Sequence, residues 1–82
     1  MTEAERIAAG LTEEARAGLL LFGESTLPGS ILQCEPGEEA IVDELLRACC
    51  VSYIRAAGHH FIAEQPLGLE VRAILEAQGG EG

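Results

Sequence analysis

The sequence has no lysine, no asparagine and no tryptophan, and all of its side-chain cations are five arginines. Fourteen acidic residues oppose them, so the formal net charge is −9. A field of this sign repels phosphate backbones and anionic membranes and favours basic partners. The charge therefore disfavours ordinary DNA binding. A second explanation is that the acidity serves only solubility and reflects coding bias.

Aromatic residues are also scarce, at 4% of the 82 residues. A chain of this length forms one small core, so we expect a single domain over residues 1–78 and a flexible tail over residues 79–82. The run Leu19–Leu21, with Ile31 and Leu32, supplies more aliphatic surface than such a core obviously needs. A homodimer or a protein partner would cover the remainder, and the alternative is that all of this surface lies in the core.

The chain lacks the spaced ligand and nucleophile motifs of metal sites and enzymes. Cys34, Cys49 and Cys50 are odd in number and form no Cys-x-x-Cys pair, and two adjacent histidines would point apart. Neither a GxGxxG nor a Walker pattern occurs. We therefore predict no disulfide framework, no metal, no cofactor and no enzymatic activity.

No apolar run approaches membrane-spanning length, and acidic Glu3 and Glu5 lie where a signal peptide would be basic. These features predict a cytoplasmic protein with reduced thiols and no membrane partner.

Capping residues and apolar spacing predict helices at both ends of the chain. Thr2 and Glu5 fit a capping box that opens a first helix ending near Gly10, and Thr12 opens a second that Gly23 ends. The second helix has an apolar stripe, which places it in the core: Ala15, Leu19 and Phe22. Further helices are expected at Glu38–Cys49 and from Pro66 to Gln78.

Two clusters of β-branched and aromatic residues, 51–54 and 61–63, predict a hairpin around the loop Ala56–His59. The alternative extends the preceding helix to Gly58 and gives an all-α bundle. Residues 30–34 fit either one helical turn or a short strand, and Leu27-Pro28-Gly29 predicts a turn.

The order helix, strand, Gly-containing turn, strand, then Gln65-Pro66-Leu67-Gly68 opening a helix resembles the C-terminal half of small bacterial and prophage winged helix-turn-helix proteins. Many of these carry Thr where this chain has Gln65. The resemblance implies an α+β winged-helix-like domain with three to four helices and a two-stranded hairpin. It places a second helix and a turn within residues 25–37 and makes Glu38–Cys49 the recognition helix.

The same resemblance implies a DNA-binding ancestry, and a winged-helix transcriptional regulator is the alternative function. Such a regulator would use Arg47 of the recognition helix and the wing residues Arg55, His59 and His60. The outward face of that helix carries acids where a DNA reader carries Arg, Lys, Asn or Gln.

Five acids lie within ten residues and are predicted, with Arg47, to bind a partner: Glu35, Glu38, Glu39, Asp43 and Glu44. A second group lies near the N-terminus: Glu3, Glu5, Glu13 and Glu14. Together they would imitate phosphates and occupy a basic, nucleic-acid-binding surface of another protein. In size and charge the chain is similar to small acidic phage inhibitors, anti-CRISPR proteins included. We therefore expect a protein-binding accessory or inhibitor protein. A solvated helix face is the plainer explanation of the charge cluster.

Overall fold

The structure is a computed structural model that describes residues 1–25 and 31–79. It consists of helices and one antiparallel sheet. The α-helices within these residues are α1 (Glu3–Gly10), α2 (Glu13–Leu20), α3 (Glu39–Arg47) and α4 (Pro66–Gly79). A 3-10 helix (Leu21–Glu24) follows α2, and the strands are β1 (Ile31–Gln33), β2 (Val51–Ala56) and β3 (His59–Glu64). The predicted α+β class is confirmed, and the all-α alternative is wrong.

The sheet has three strands in the order β1-β3-β2, so the predicted two-stranded hairpin is incomplete. The additional strand is β1, where the sequence left a helical turn and a short strand as alternatives. Leu32 pairs with Ile62 of β3, and the Ser25 hydroxyl donates to the Ile31 carbonyl at 2.7 Å. A three-residue strand offers too little alternation to distinguish it from a helical turn by sequence alone.

A single helix, α3, lies between β1 and β2, and this part of the chain is described throughout. The second helix that the winged-helix comparison placed within residues 25–37 is absent from the described part of that segment, 31–37. Those residues form β1 and a turn in which Gly37 has a φ of +96°. The predicted turn at residues 27–29 lies outside the described residues.

The N-terminal helices begin at the predicted caps. The Thr2 amide donates to Oε1 of Glu5 at 2.7 Å, and the Glu5 amide donates to the Thr2 hydroxyl at 3.1 Å, which completes the capping box. Thr12 caps α2 by accepting the Ala15 amide at 3.3 Å. The α-helical part of α2 ends at Leu20, earlier than predicted, because the chain tightens into the 3-10 helix.

The core lies where α2 contacts both α3 and α4. The predicted stripe on α2 is buried, and Leu19 is fully enclosed together with Leu45 of α3 and Val71 of α4. Leu21, in contrast, remains 47% exposed. The core follows from the 3.6-residue spacing that the sequence already displays.

Helix α3 ends two residues before the predicted Cys49 because the chain turns left-handed there, with φ of +60° at Cys49. The Cys50 amide donates to the Leu45 carbonyl at 3.0 Å, and the Cys49 amide donates to the Leu46 carbonyl at 3.1 Å. These bonds form a Schellman motif, in which glycine usually takes the left-handed position. Cysteine at this position gave no sequence signal for the helix end.

The hairpin between β2 and β3 closes through Ala57 and Gly58, whose φ values are +52° and +79°. Two consecutive positive φ values are typical of the type I′ turn, which matches the twist of the two strands. The predicted hairpin is confirmed, but its loop is shorter than predicted, because Ala56 and His59 pair with each other at the ends of the two strands.

The start of α4 lies directly against the end of α3 and the start of β2. The Cys50 carbonyl accepts the Gln65 amide at 2.9 Å, and a Cβ on Gly68 would lie 2.0 Å from that same oxygen. Residue 68 must therefore be glycine for the helix to approach so closely. This close contact explains the glycine in Pro66-Leu67-Gly68 by packing. Helix α4 then runs to Gly79, one residue beyond the predicted end, and residues 80–82 lie outside the described residues.

An ion pair near this contact joins the end of β3 to α4. Arg72 of α4 donates to both carboxylate oxygens of Glu64, Nε at 2.7 Å and Nη2 at 3.2 Å, and to Glu76 at 2.9 Å. The Glu64 side chain is fully buried. The hydrogen bonds from Arg72 to Glu64, and the charges of Glu64 and Glu76, raise the pKa of the guanidinium. The end of β3 is thereby joined to α4 by a bidentate pair.

Gly68→Ala should lower the free energy of unfolding by about 3 kcal/mol, since the added methyl group would meet a backbone carbonyl that cannot rotate away. Urea denaturation measures the change. Gly10→Ala is the control, because nothing lies within 4 Å of its added Cβ. Equal effects of the two substitutions would contradict the close approach.

Cys49→Gly should raise the free energy of unfolding by about 1 kcal/mol, because glycine adopts the left-handed conformation without the Cβ penalty. Cys49→Ala keeps a Cβ and removes the thiol, so it serves as the control and should change stability little. Both are measured by thermal and urea denaturation under reducing conditions. A gain with Ala equal to that with Gly would assign the effect to the thiol.

Candidate functional site

An open groove of about 390 Å³ runs between α3 and the facing side of the sheet. We call it the α3 groove. Its lining residues are Cys34, Glu35, Pro36, Glu39, Val42, Asp43, Leu46, Tyr53 and His60. Apolar side chains form much of its wall, and three carboxylates lie among them.

One stripe of α3 forms the helical side of the groove. Glu39, Val42, Asp43 and Leu46 follow the i, i+3, i+4, i+7 spacing of a single helix face. Val42 and Leu46 are half-buried, and Glu39 and Asp43 are exposed. The stripe therefore presents alternating apolar and anionic groups along one line.

The sheet side depends on strand register. Tyr53 lies opposite Ile62, so His60, two residues from Ile62, is its diagonal neighbour on the same face. The Tyr53 hydroxyl hydrogen-bonds to Nδ1 of His60, and the two ring centroids are 5.6 Å apart. Tyr53 is 45% exposed. Its side chain thus forms an accessible part of the groove wall.

Cys34 closes the groove beside β1, where its amide donates to the His60 carbonyl at 2.9 Å. Burial, and secondarily the charge of Glu38, raises the pKa of the Cys34 thiol. Burial raises the pKa of the Cys50 thiol, outside the groove, to about 11. Both thiols are therefore protonated near neutral pH and are poor nucleophiles.

Of the predicted partner-binding acids, the structure brings three into the groove: Glu35, Glu39 and Asp43. His60, predicted as a wing residue, joins them. Arg47 lies one turn further along α3, and its guanidinium contacts the Asp43 carboxylate at 2.7 Å. Both side chains are more than half exposed, so this ion pair stabilises the fold little.

Glu44 lies away from the groove and has a structural contact. Its carboxylate accepts the Thr12 amide at 2.9 Å and the Thr12 hydroxyl at 2.8 Å, and so caps α2 from the neighbouring helix. The hydrogen bond from the Thr12 amide, followed by that from its hydroxyl, lowers the pKa of Glu44. The bonds also bring α3 to the start of α2, where Glu13 and Glu14 lie.

The other predicted residues lie outside the groove lining. Oε1 of Glu38 accepts the Glu35 amide at 2.9 Å, which orders the turn before α3. Arg55 and His59 are exposed on the hairpin. The sequence analysis did not select five lining residues that the structure adds: Cys34, Pro36, Val42, Leu46 and Tyr53. Strand alternation, with Tyr53 two residues from Val51, was the available signal for Tyr53.

A smaller cavity of about 170 Å³ adjoins the α3 groove, with which it shares Cys34, Glu35 and Val42. It is lined mainly by apolar groups, among them Leu21, Leu32 and Ile41.

Within residues 1–25 and 31–79, no group of three or more His, Cys, Asp or Glu side chains is arranged to hold a metal ion. None of the helices in these residues has both the length and the apolar character needed to cross a bilayer. The chain matches no family model, and no curated protein and no solved structure is significantly similar to it.

Thr12→Ala should raise the pKa of Glu44, because it removes the hydroxyl donor, but should leave it below the ordinary value of 4.5, because the backbone donor remains. Side-chain carboxyl NMR titration measures the midpoint. Thr12→Ser keeps the hydroxyl and is the control.

A lowered folded-state pKa has a defined effect on stability. The contribution of Glu44 is present above its unfolded pKa and is lost as the pH falls through the folded pKa. The melting temperatures of the wild type and Glu44→Gln should therefore differ most at neutral pH and converge on acidification. A gap that widens in acid would contradict the contact with Thr12.

Proposed function

We propose that this chain is a small protein-binding accessory or inhibitor protein, and that it docks by the α3 groove onto a basic surface of another protein. Three carboxylates beside a half-apolar groove are the observation that supports this function: Glu35, Glu39 and Asp43. Interfaces of this composition take affinity from apolar contact and specificity from charge complementarity. A surface that binds nucleic acid has the required positive charge, so the acids would compete with phosphates for it.

The net charge of −9 extends this preference beyond the groove. An anionic field accelerates encounter with a cationic surface and suppresses encounter with nucleic acid. The small size and acidity are similar to those of phage-encoded inhibitors, anti-CRISPR proteins included, and we propose a role of that type.

A winged-helix DNA-binding regulator is the second candidate. The strand order β1-β3-β2 and a hairpin that leads into α4 support the winged-helix comparison. Arg55, exposed on the hairpin, is the cation best placed for phosphate contact. Against this function, Arg47 is paired with Asp43, Arg72 is paired with Glu64, and one helix replaces the helix-turn-helix pair between β1 and β2.

Neutralising the groove by the double substitution Glu39→Gln and Asp43→Asn should abolish capture of basic, nucleic-acid-binding proteins from a bacterial lysate on the immobilised chain. The reason is that the carboxylates supply both the attraction and the charge pairing. Captured proteins are identified by mass spectrometry, and elution by salt tests the electrostatic contribution. The control is Glu24→Gln with Glu70→Gln, which removes the same charge from exposed positions outside the groove.

Glu44 is left unchanged in this design because its substitution would also remove the cap of α2. Equal capture by the two double variants would show that the groove is not the interface. Fluorescence anisotropy with mixed duplex DNA provides the second arm. Saturable DNA binding at low salt that weakens steeply with added salt would favour the regulator instead.

A further inference from the structure

The α3 groove combines an aromatic face, an apolar wall and carboxylates within one small volume. The Tyr53 ring lines it, and the Tyr53 hydroxyl hydrogen-bonds to His60. Val42 and Leu46 supply aliphatic surface on the opposite side. Asp43 and Glu39 lie on the same stripe of α3, one helical turn apart.

These three features select among the side chains that a partner could insert. An acidic side chain would be repelled by the carboxylates. A purely apolar side chain would cover them without providing a countercharge, which is unfavourable. A ligand that suits the apolar wall and the carboxylates has an aliphatic stem for Val42 and Leu46 and a cationic end for Asp43 and Glu39.

Arginine fits this description better than lysine. Its guanidinium is planar, stacks on aromatic faces and pairs with carboxylates through parallel hydrogen bonds, whereas the lysine ammonium is compact and strongly hydrated. Asp43 already accepts a guanidinium in this structure, from Arg47 at 2.7 Å. The Arg47 side chain is 80% exposed and lies outside the groove lining, so a partner's arginine can replace it or share the carboxylate.

We propose that the α3 groove is a receptor for a single arginine side chain of a protein partner, stacked on Tyr53 and paired with Asp43 and Glu39. This inference rests on the proposed protein-binding function for the nature of the partner. It goes further because it names the side chain that is bound and assigns a recognition role to Tyr53. Attraction by negative charge alone would not need Tyr53.

The test uses the full chain, labelled with ¹⁵N, and three blocked tripeptides: acetyl-Gly-Arg-Gly-amide, the lysine equivalent, and the equivalent with citrulline, an uncharged analogue of arginine. Arginine peptide should give saturable shifts confined to the backbone amides of residues that line the groove. Lysine peptide should bind about tenfold more weakly, because it loses stacking and bidentate pairing. Citrulline peptide should give no saturable shift.

Substitutions at two positions separate the parts of the site. Tyr53→Phe keeps the ring and should retain the arginine preference, whereas Tyr53→Leu should bring the arginine and lysine affinities together. Asp43→Asn should weaken both, and Glu70→Gln, an exposed acid outside the groove, should change neither. A preserved amide spectrum confirms folding for each variant. The comparison of peptides on the unaltered chain needs no variant at all.

Equal arginine and lysine shifts spread over all acidic segments would overturn the arginine site and leave general charge attraction. Absence of saturable shifts at millimolar arginine peptide would also overturn it. Failure of the protein-binding proposal looks different, because the groove would then bind the arginine peptide while its double neutralisation left lysate capture unchanged.

Discussion

The close approach of α4 to the Cys50 carbonyl is the constraint on which the other elements depend. That one oxygen accepts the Gln65 amide and faces Gly68, so the end of α3, the start of β2 and the start of α4 meet there. The Schellman turn at Cys49 directs Cys50 into this position, and the pair between Glu64 and Arg72 secures the end of β3 nearby. With these four segments joined, the sheet face that carries Tyr53 and His60 has a fixed position relative to α3. The groove is a consequence of that position.

Acidic side chains serve two separate purposes in this molecule. Glu5, Glu38 and Glu44 each accept a backbone amide at a helix start or in a turn, and Glu64 is buried against Arg72. Glu35, Glu39 and Asp43 instead remain in the open groove. Some of the acids that give the high net charge therefore stabilise the fold, and fewer exposed acids remain for a partner than the composition suggests.

Local patterns predicted most of the fold. The two N-terminal caps, the stripe of α2 and the tight hairpin turn each depend on residues close together in sequence, where spacing and turn chemistry are informative. Three features could not be predicted in this way. The strand β1 is defined by its pairing with β3, the end of α3 by a cysteine in a conformation that glycine usually takes, and the role of Glu44 by Thr12, which lies 32 residues away. The candidate site was predicted only in part. The clustering of acids in the sequence pointed to its three carboxylates, whereas its apolar and aromatic lining depends on packing between elements that are distant in sequence.

The register of the hairpin also determines how the site can be lost. Side chains alternate between the two faces of a strand, so a shift of one residue in one strand of the hairpin would place Tyr53 and His60 on opposite faces of the sheet. The turn at Ala57 and Gly58 sets that register, although neither residue lines the groove. An insertion of one residue in this turn would therefore separate Tyr53 from His60 while leaving every lining residue in the sequence. The recognition surface thus depends on the number of residues in the turn, and a change in turn length alone would disrupt it.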